Sequence, residues 1–226
     1  MGESSMRQMM SRCRLLVLSV GVLISGVDGA AACGSGKLLF EDKFETLDLA
    51  WGFEQNDPSR SNGPGGLVYK LGPGESIILL NQSGLHENYE VCAVFTSEVP
   101  AAADAYVAVD FWGSDSDNLY EADIYPALGT YSVYRYQNKK ALKPISPRSD
   151  DSVVKGTSAT NEISITVNGN KATIALNGKK VIDFTGQPPE GGSLFGLSLG
   201  TLKGDAGPST FTVKSIQLRE VAASQP

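Results

Sequence analysis

The sequence predicts an all-β protein built as a two-sheet antiparallel sandwich. Its 226 residues include 25 glycines and 11 prolines, spread along the chain so that they separate many short segments. Between these breaks, apolar and polar residues alternate with the two-residue period of β-strands. Past residue 36 the chain offers no apolar stripe of three helical turns and no strand–helix–strand alternation. About twelve strands without such alternation indicate a sandwich or a closed barrel.

The first 32 residues are typical of a secretory signal peptide. Three arginines precede an uncharged apolar run over 15–27, and small residues follow at 29–32. This run is too short to span the ~30 Å hydrocarbon core of a membrane. We therefore expect an exported protein, periplasmic or secreted, with no membrane span and with a single domain over 33–226.

Two cysteines remain after the signal, Cys33 and Cys92. In an oxidising compartment such a pair most simply forms one disulfide. A second interpretation stays open, because a cysteine directly after three alanines could be the lipid-modified first residue of a bacterial lipoprotein. The sequence favours the disulfide over a lipid anchor on Cys33.

The charge balance makes nucleic acid an unexpected partner. The formal net charge is −6 at pH 7, and no run of lysine and arginine is longer than two residues. A phosphate-binding surface needs a basic patch, which this chain does not offer. The single histidine, His86, rules out a multi-histidine metal site, and its polar loop indicates a surface residue.

Strand candidates follow one another from residue 37 to residue 218. They cover 37–40, 67–71, 76–80, 89–96, 105–112, 118–125, 130–136, 162–167, 171–176, 179–184, 194–199 and 210–218. Asn-Gly pairs at 168–169 and 177–178 tolerate the positive φ angles of tight hairpins, so 161–184 is predicted to be a three-stranded meander. We expect 141–160 to cross the surface, with one short helical turn over 149–155 capped by Ser149.

The strands over 105–136 can be sorted into two faces, because successive side chains point to opposite sides of a sheet. One face is apolar and is predicted to be core, with Arg135 as a misfit at its rim. The other face mixes aromatic rings with acids and hydroxyls: Tyr106, Asp110, Trp112, Glu121, Asp123, Tyr125, Ser132, Tyr134 and Tyr136. Sugars suit such a mixture, since their C–H faces stack on rings and their hydroxyls donate to carboxylates. The alternative is a set of cross-strand tyrosine pairs that only stabilise the sheet.

Several stretches resemble the concanavalin A-like jelly-roll superfamily, with its laminin-G-like relatives. They are 40–44 with Trp51, 106–112, 117–120, 129–135 and 177–181. The resemblance is strongest to bacterial family-16 glycoside hydrolase-like and 3-keto-disaccharide hydrolase domains, and it covers about 37–219. It implies two curved antiparallel sheets whose concave face holds carbohydrate.

The catalytic pattern of that family is incomplete here. Family-16 hydrolases carry Glu-x-Asp-x-(x)-Glu on one strand, and Glu121 and Asp123 begin this pattern. The position of the second glutamate holds Tyr125 or Pro126, and neither can replace an acid. If the chain is an enzyme, we expect Glu121 and Asp123 to be catalytic together with a carboxylate from elsewhere.

A calcium site is the one cofactor that the sequence raises. Asp115, Asp117 and Asn118 lie in one turn and could supply oxygen ligands, although turns rich in Asp and Asn also form for backbone reasons. No other cofactor is expected. Three functions remain: an exported lectin-like domain that binds carbohydrate, a glycoside hydrolase, and a non-catalytic envelope domain that binds another protein.

Overall fold

The computed structural model describes residues 33–53 and 56–222. The signal-peptide prediction lies outside the described residues. Within them, the chain forms fourteen β-strands in two antiparallel sheets and one short 3-10 helix, Leu49–Trp51. The predicted all-β sandwich is therefore confirmed.

Sheet A contains eight strands. In chain order they are β1 (Leu38–Asp42), β2 (Arg60–Gly63), β3 (Gly66–Leu71), β5 (Tyr89–Glu98), β10 (Ser158–Asn168), β11 (Lys171–Leu176), β12 (Lys179–Thr185) and β14 (Ser209–Glu220). Their spatial order is β12-β11-β10-β5-β14-β3-β2, and β1 pairs with the second half of β14. Strands far apart in the chain are thus neighbours, as jelly-roll connections require.

Sheet B contains six strands and carries the residues of greatest interest. They are β4 (Ser76–Leu80), β6 (Tyr106–Asp115), β7 (Asn118–Tyr125), β8 (Thr130–Gln137), β9 (Lys140–Ser149) and β13 (Leu194–Gly200). Their spatial order is β4-β13-β6-β7-β8-β9. Three consecutive strands, β6 to β8, therefore lie side by side near the middle of the sheet.

The core lies between the inner faces of the two sheets. Phe95 and Ile165 from sheet A, and Val109 and Ile124 from sheet B, have no exposed surface and belong to one buried cluster. The predicted apolar face is confirmed, since its members are all buried: Ala105, Val107, Val109, Phe111, Tyr120, Ala122, Ile124, Tyr131 and Val133. Arg135 is half-buried beside them.

The predicted meander is also confirmed, because β10, β11 and β12 pair in sequence. Its second hairpin joins Leu176 to Lys179 through Asn177 and Gly178, whose φ angles of 50° and 76° both lie in the left-handed region. Two positive φ angles are the requirement of a type I′ turn, which Asn-Gly meets.

The prediction that 141–160 only crosses the surface is wrong. Residues Lys140–Ser149 form β9, and β10 begins at Ser158. Pro144 and Pro147 hid the strand from the sequence pattern, yet they suit β9 because it is an edge strand with one unpaired side. The single turn predicted over 149–155 is present, since the backbone N–H of Val153 donates to Asp150 O at 3.1 Å. Its cap is Asp150 and not Ser149, because Asp150 Oδ1 accepts the backbone N–H of Ser152 at 2.8 Å.

Cys33 and Cys92 form the predicted disulfide, with their Cα atoms 5.7 Å apart. The same sulfur of Cys33 cannot then carry a lipid, so the structure supports the first interpretation. The disulfide ties the segment before β1 to the middle of β5. Among the residues that the structure describes, no helix is long and apolar enough to cross a membrane.

Candidate functional site

A polar surface covers the side of sheet B that points away from the core. We call it the acid–tyrosine face, and it consists of Tyr106, Asp110, Glu121, Asp123, Tyr125, Ser132, Tyr134, Tyr136 and Ser198. The strand register aligns them in rows across the sheet. Asp110 lies opposite Glu121, which lies opposite Tyr134. In the next row, Asp123 lies opposite Ser132.

Seven of the eight residues predicted to bind or act on sugar are brought together here. Beyond the aligned acids, the ring centroids of Tyr106 and Tyr125 are 6.0 Å apart, and Tyr134 stacks on Tyr136 with centroids 6.5 Å apart. These four tyrosines are half-buried. They surround acids that are far less accessible, so their rings are the part of the site that a ligand would meet first.

Trp112 is the eighth residue, and its predicted placement on this face is wrong. A bulge interrupts the pairing of β6 with β7 after Phe111, and Trp112 has a φ angle of 49°. This left-handed backbone turns the ring to the inner side, where it contacts Phe111, Tyr120 and Phe184 and is 3% exposed. The rule that successive side chains alternate between the two faces of a sheet fails at a bulge, because the extra residue changes the face on which the adjacent side chains lie.

The three acids of the face are buried, although they lie outside the hydrophobic core. Asp110 has no exposed surface, and Glu121 and Asp123 are each 2% exposed. Asp123 Oδ2 accepts hydrogen bonds from Tyr125 OH at 3.1 Å and Ser132 Oγ at 3.0 Å. Its other oxygen, Oδ1, is buried without a hydrogen-bond partner. None of the three acids forms an ion pair in the described part of the chain.

Burial raises the pKa of all three carboxyl groups, because a poorly solvated site disfavours the charged form. Burial raises the pKa of Glu121 to about 7, and the nearby hydroxyls of Ser198 and Tyr136 oppose this rise. Burial and then the nearby charge of Glu121 hold the pKa values of Asp110 and Asp123 well above the ordinary range. The three acids therefore lose their protons at higher pH than exposed acids do.

Three tyrosines of the face have pKa values raised for the same reasons. Burial raises the pKa of Tyr106, Tyr125 and Tyr136, and the neighbouring carboxylates raise it further. Each keeps a hydroxyl hydrogen that can be donated, while the ring offers an apolar surface. Carboxyl groups and phenol hydroxyls together give a face that can both donate and accept hydrogen bonds.

Strand β13 contributes residues that the sequence did not assign to the site. Ser198 Oγ lies 2.9 and 3.0 Å from the two carboxyl oxygens of Asp110 and donates its hydrogen to one of them. A Cβ at Gly200 would lie 2.4 Å from the ring of Tyr106, so only glycine lets this ring lie over the strand. The sequence pattern that could have placed Ser198 on this face is the alternation over 194–199, where buried Phe195, Leu197 and Leu199 alternate with small residues.

An apolar patch adjoins the acids on the same side of the sheet. Leu80, Leu119 and Leu194 form a small buried cluster against which Tyr136 packs. A surface that passes from carboxyls through tyrosine rings to leucines matches the mixed polar and apolar character of a sugar ring.

The cross-strand pair of Asp110 and Glu121 supplies a second carboxyl near the expected one. Asp110 and Glu121 lie directly opposite each other, so their Cβ atoms are about 4.5–5.5 Å apart. Glycoside hydrolysis uses a pair of carboxyl groups. Tyr125, at the position of the missing glutamate, instead donates its hydroxyl to Asp123. The neighbouring strand β6 thus provides an acid that β7 lacks.

The proposed calcium ligands are engaged with one another. Asp115 Oδ1 accepts from the backbone N–H of Asp117 at 2.8 Å and from Asn118 Nδ2 at 2.9 Å. No group of three or more acidic, histidine or cysteine side chains suited to a metal occurs among the described residues. Calcium at this turn stays a prediction.

His86 departs from the surface position that the sequence indicated. It is half-buried, and its ring packs against Tyr89 and Phe195 with centroids 6.2 and 5.9 Å away. Burial lowers the pKa of the imidazole. Its contacts place it at the other end of β13 from Ser198, and it does not join the acids.

Comparison with known proteins supports the fold and leaves the activity open. No protein-family model and no curated protein matches the chain. Among solved structures, the laminarinase catalytic domain from Thermotoga maritima is similar, with a TM-score of 0.58 and 11% identity over 83% of this chain and 99% of that domain. The β-glucanase of Bacillus licheniformis gives 0.57 and 10% identity over 83% of this chain and 100% of the enzyme.

A non-catalytic protein is about as similar. The carbohydrate-binding module CBM66 from Bacillus subtilis has a TM-score of 0.54 and 15% identity, over 70% of this chain and 91% of the module. At such low identities these likenesses concern the fold alone. The chain therefore has the concanavalin A-like jelly-roll fold that its sequence resembles.

Proposed function

We propose that this protein binds a glycan on the acid–tyrosine face. The observation that carries the proposal is the convergence of three buried acids and four half-buried tyrosines on one side of sheet B. Buried carboxyls without cationic partners are unfavourable for stability, so their presence here favours a role in recognition or chemistry. Tyrosine rings beside them offer the stacking surface that a sugar needs.

Two further observations favour this proposal over a purely structural role. Ser198 and Ser132 hold Asp110 and Asp123 in fixed positions, which is typical of a preorganised site. The solved structures with the same fold include a carbohydrate-binding module and two enzymes named for glucan substrates. The disulfide and the signal-like N-terminus support an exported location, where free glycans occur.

Glycoside cleavage is the second candidate, favoured by the pairing of Asp110 with Glu121. A protonated carboxyl could donate to the glycosidic oxygen while the other, ionised, attacks or activates water. The raised pKa of Glu121, about 7, suits an acid that must hold its proton near neutrality. Hydrolysis would then use acids from two neighbouring strands.

The test is binding and turnover of neutral oligosaccharides by the full chain and its variants. A panel of gluco-, manno- and galacto-oligosaccharides is titrated calorimetrically, and each mixture is then assayed for released reducing ends. We expect binding that weakens about tenfold or more in Tyr134→Ala. Tyr131→Phe, on the inner face of the same strand, is the matched control and should bind as the parent does.

The outcomes separate the candidates. Binding without release supports a lectin-like domain, whereas release that is lost in Glu121→Gln supports a hydrolase. If no sugar binds and none is cleaved, the proposal fails and a protein-binding envelope domain becomes the better explanation.

A further inference from the structure

Arg135 is the residue that the proposed glycan face does not explain. It lies on the inner side of β8, in a row of apolar residues, where the sequence already marks it as a misfit. Its side chain is half-buried at the rim of the core. Its guanidinium carbon lies 5.4 Å from the ring centroid of Tyr120, so the cation is held over an aromatic surface.

The guanidinium has no acidic partner in the described part of the chain. The ion pairs found there involve Lys139, Lys179 and Lys180. No hydrogen bond from Arg135 to a side chain or carbonyl is present among those residues either. An arginine carries five N–H donors in a planar fork that matches a carboxylate. Held at the core rim without such an acceptor, Arg135 has free capacity to recognise an anion.

Two clefts meet at this arginine. One, of about 480 Å³, runs along Pro144 and Phe184, and the other, of about 250 Å³, runs along Asn118 and Pro188. Tyr120, Arg135 and Gln187 line both of them. The volume of the larger cleft lies within the ~300–1,000 Å³ range of small-ligand sites.

The walls of these clefts are fixed in place and suit a ring-shaped ligand. The backbone N–H of Gln187 donates to Tyr120 OH at 3.1 Å, which anchors the segment after β12 across the ring. Phe184 packs beside Tyr120 with a centroid distance of 6.2 Å. Aromatic walls stack on the C–H face of a sugar, and the amide of Gln187 offers polar contacts to its hydroxyls.

Lys143 adds a second positive charge at the same cleft. It lines the larger cavity, and its ammonium lies 5.2 Å from the ring centroid of Tyr134 without an acidic partner among the described residues. Arg135 and Lys143 both line this cleft, and neither forms an ion pair among the described residues. Charge complementarity therefore specifies an anionic ligand here, in contrast to the acid–tyrosine face.

We infer that the cleft at Arg135 binds a carboxylate-bearing sugar, a hexuronate unit of a glycan, as a second site that adjoins the acid–tyrosine face at Tyr134 and Tyr136 but uses none of its acids. The carboxylate accepts two hydrogen bonds from the guanidinium of Arg135, and the sugar ring lies against Tyr120 and Phe184. The inference does not depend on the proposed function, because none of the buried acids takes part.

The test is calorimetric titration of the full chain with trigalacturonate. Its methyl ester is the matched ligand, since the rings are the same and the charges are removed. We expect trigalacturonate to bind, the ester to bind at least tenfold more weakly, and affinity to fall as salt is added. Equal binding of acid and ester, or no binding of the acid, would overturn the inference.

Variants locate the site. Arg135→Gln should weaken trigalacturonate about ten- to a hundredfold, since charged hydrogen bonds are lost. Arg148→Gln is the matched control, because Arg148 also lies over a tyrosine, with its guanidinium carbon 6.0 Å from the Tyr131 centroid, yet is exposed and lines neither cleft. A loss in both variants, or in the control alone, would contradict the assignment.

Two further measurements test whether the site tolerates substitution and which anion it prefers. Arg135→Lys keeps the charge without the planar fork and should bind more weakly than the parent but more tightly than Arg135→Gln, which also shows that the site survives substitution. A sulfated galactose trimer tests whether the site prefers sulfate to carboxylate. If it binds more tightly than trigalacturonate, the carboxylate assignment is overturned. Neutral oligosaccharide binding at the acid–tyrosine face should be unchanged in Arg135→Gln, so each proposal can fail alone.

Discussion

The two faces of strands β6 to β8 are both buried, yet they have opposite chemistry. On the inner face Val109 and Ile124 have no exposed surface and pack against sheet A. On the outer face Asp110 and Glu121 are 0% and 2% exposed. Apolar burial stabilises a fold, whereas burial of carboxyls opposes it. The inner face is therefore explained by folding, and the outer face requires another reason.

The largest expected effect concerns Trp112, whose ring is packed among Phe111, Tyr120 and Phe184. Trp112→Ala should lower the free energy of unfolding by about 3–5 kcal/mol, as removal of a buried aromatic ring does. Tyr134→Ala, on the outer face, should cost only about 1 kcal/mol. Urea unfolding followed by circular dichroism measures both, and equal costs would remove the distinction between the two faces.

A matched pair of neighbours on β6 sharpens the comparison. Val109→Thr places an unpaired hydroxyl in the core and should cost about 1–3 kcal/mol. Asp110→Asn keeps an acceptor for Ser198 while removing a buried ionisable group, so the free energy of unfolding should be unchanged or higher. A larger loss in Asp110→Asn than in Val109→Thr would show that the acid is a structural necessity.

The pH dependence of stability should come from the outer face. Burial raises the pKa of Glu121 from 4.5 to about 7, so the folded state holds a proton that the unfolded state releases. Its contribution is fully present below the unfolded pKa and is lost as pH rises through about 7. We expect the free energy of unfolding to fall by about 1–3 kcal/mol between pH 5 and pH 8.

Two variants test whether Glu121 causes this pH dependence of the free energy of unfolding. Glu121→Gln should flatten the profile, both by removing its own proton and by lowering the pKa of Asp110 and Asp123, which its charge raises. Glu45→Gln, at an exposed carboxylate, is the control and should leave the profile as in the parent. A profile that rises with pH would contradict the raised pKa values.

The smallest expected effect belongs to Ser198, which donates to Asp110 across from β13. Ser198→Ala should cost about 1 kcal/mol above the pH at which Asp110 ionises, because one hydrogen bond to a charged group is lost. Below that pH the cost should shrink. Ser114→Ala, on an exposed serine of β6, serves as the control in the same unfolding series.

Much of this architecture could be predicted from periodicity and turn chemistry. The inner face of β6–β8 and the Asn177–Gly178 hairpin follow from local rules that hold at those positions. The placement of Asp110 and Glu121 on one face of paired strands also followed, since both strands meet at a short turn. These predictions involve only residues that are close in the sequence or that lie on the strand joined by the next turn.

The errors occurred where a local rule is broken by the backbone. Trp112 lies at a bulge with a positive φ angle, which no side-chain pattern announces. Strand β9 contains two prolines that only an edge position tolerates, and edge positions are known only once the sheet order is known. Ser198 joins Asp110 from a strand 88 residues away, and such pairing is a property of the jelly-roll topology.

The most direct measurement of the central claim is an NMR titration of the full chain, with labelled tyrosine rings, against the tightest neutral oligosaccharide of the panel. We expect the ring signals of Tyr106, Tyr125, Tyr134 and Tyr136 on the acid–tyrosine face to shift. The rings of Tyr89 and Tyr131, buried on the inner side, should remain unchanged. Shifts confined to the inner-side tyrosines, or none at saturating ligand, would contradict glycan binding on this face.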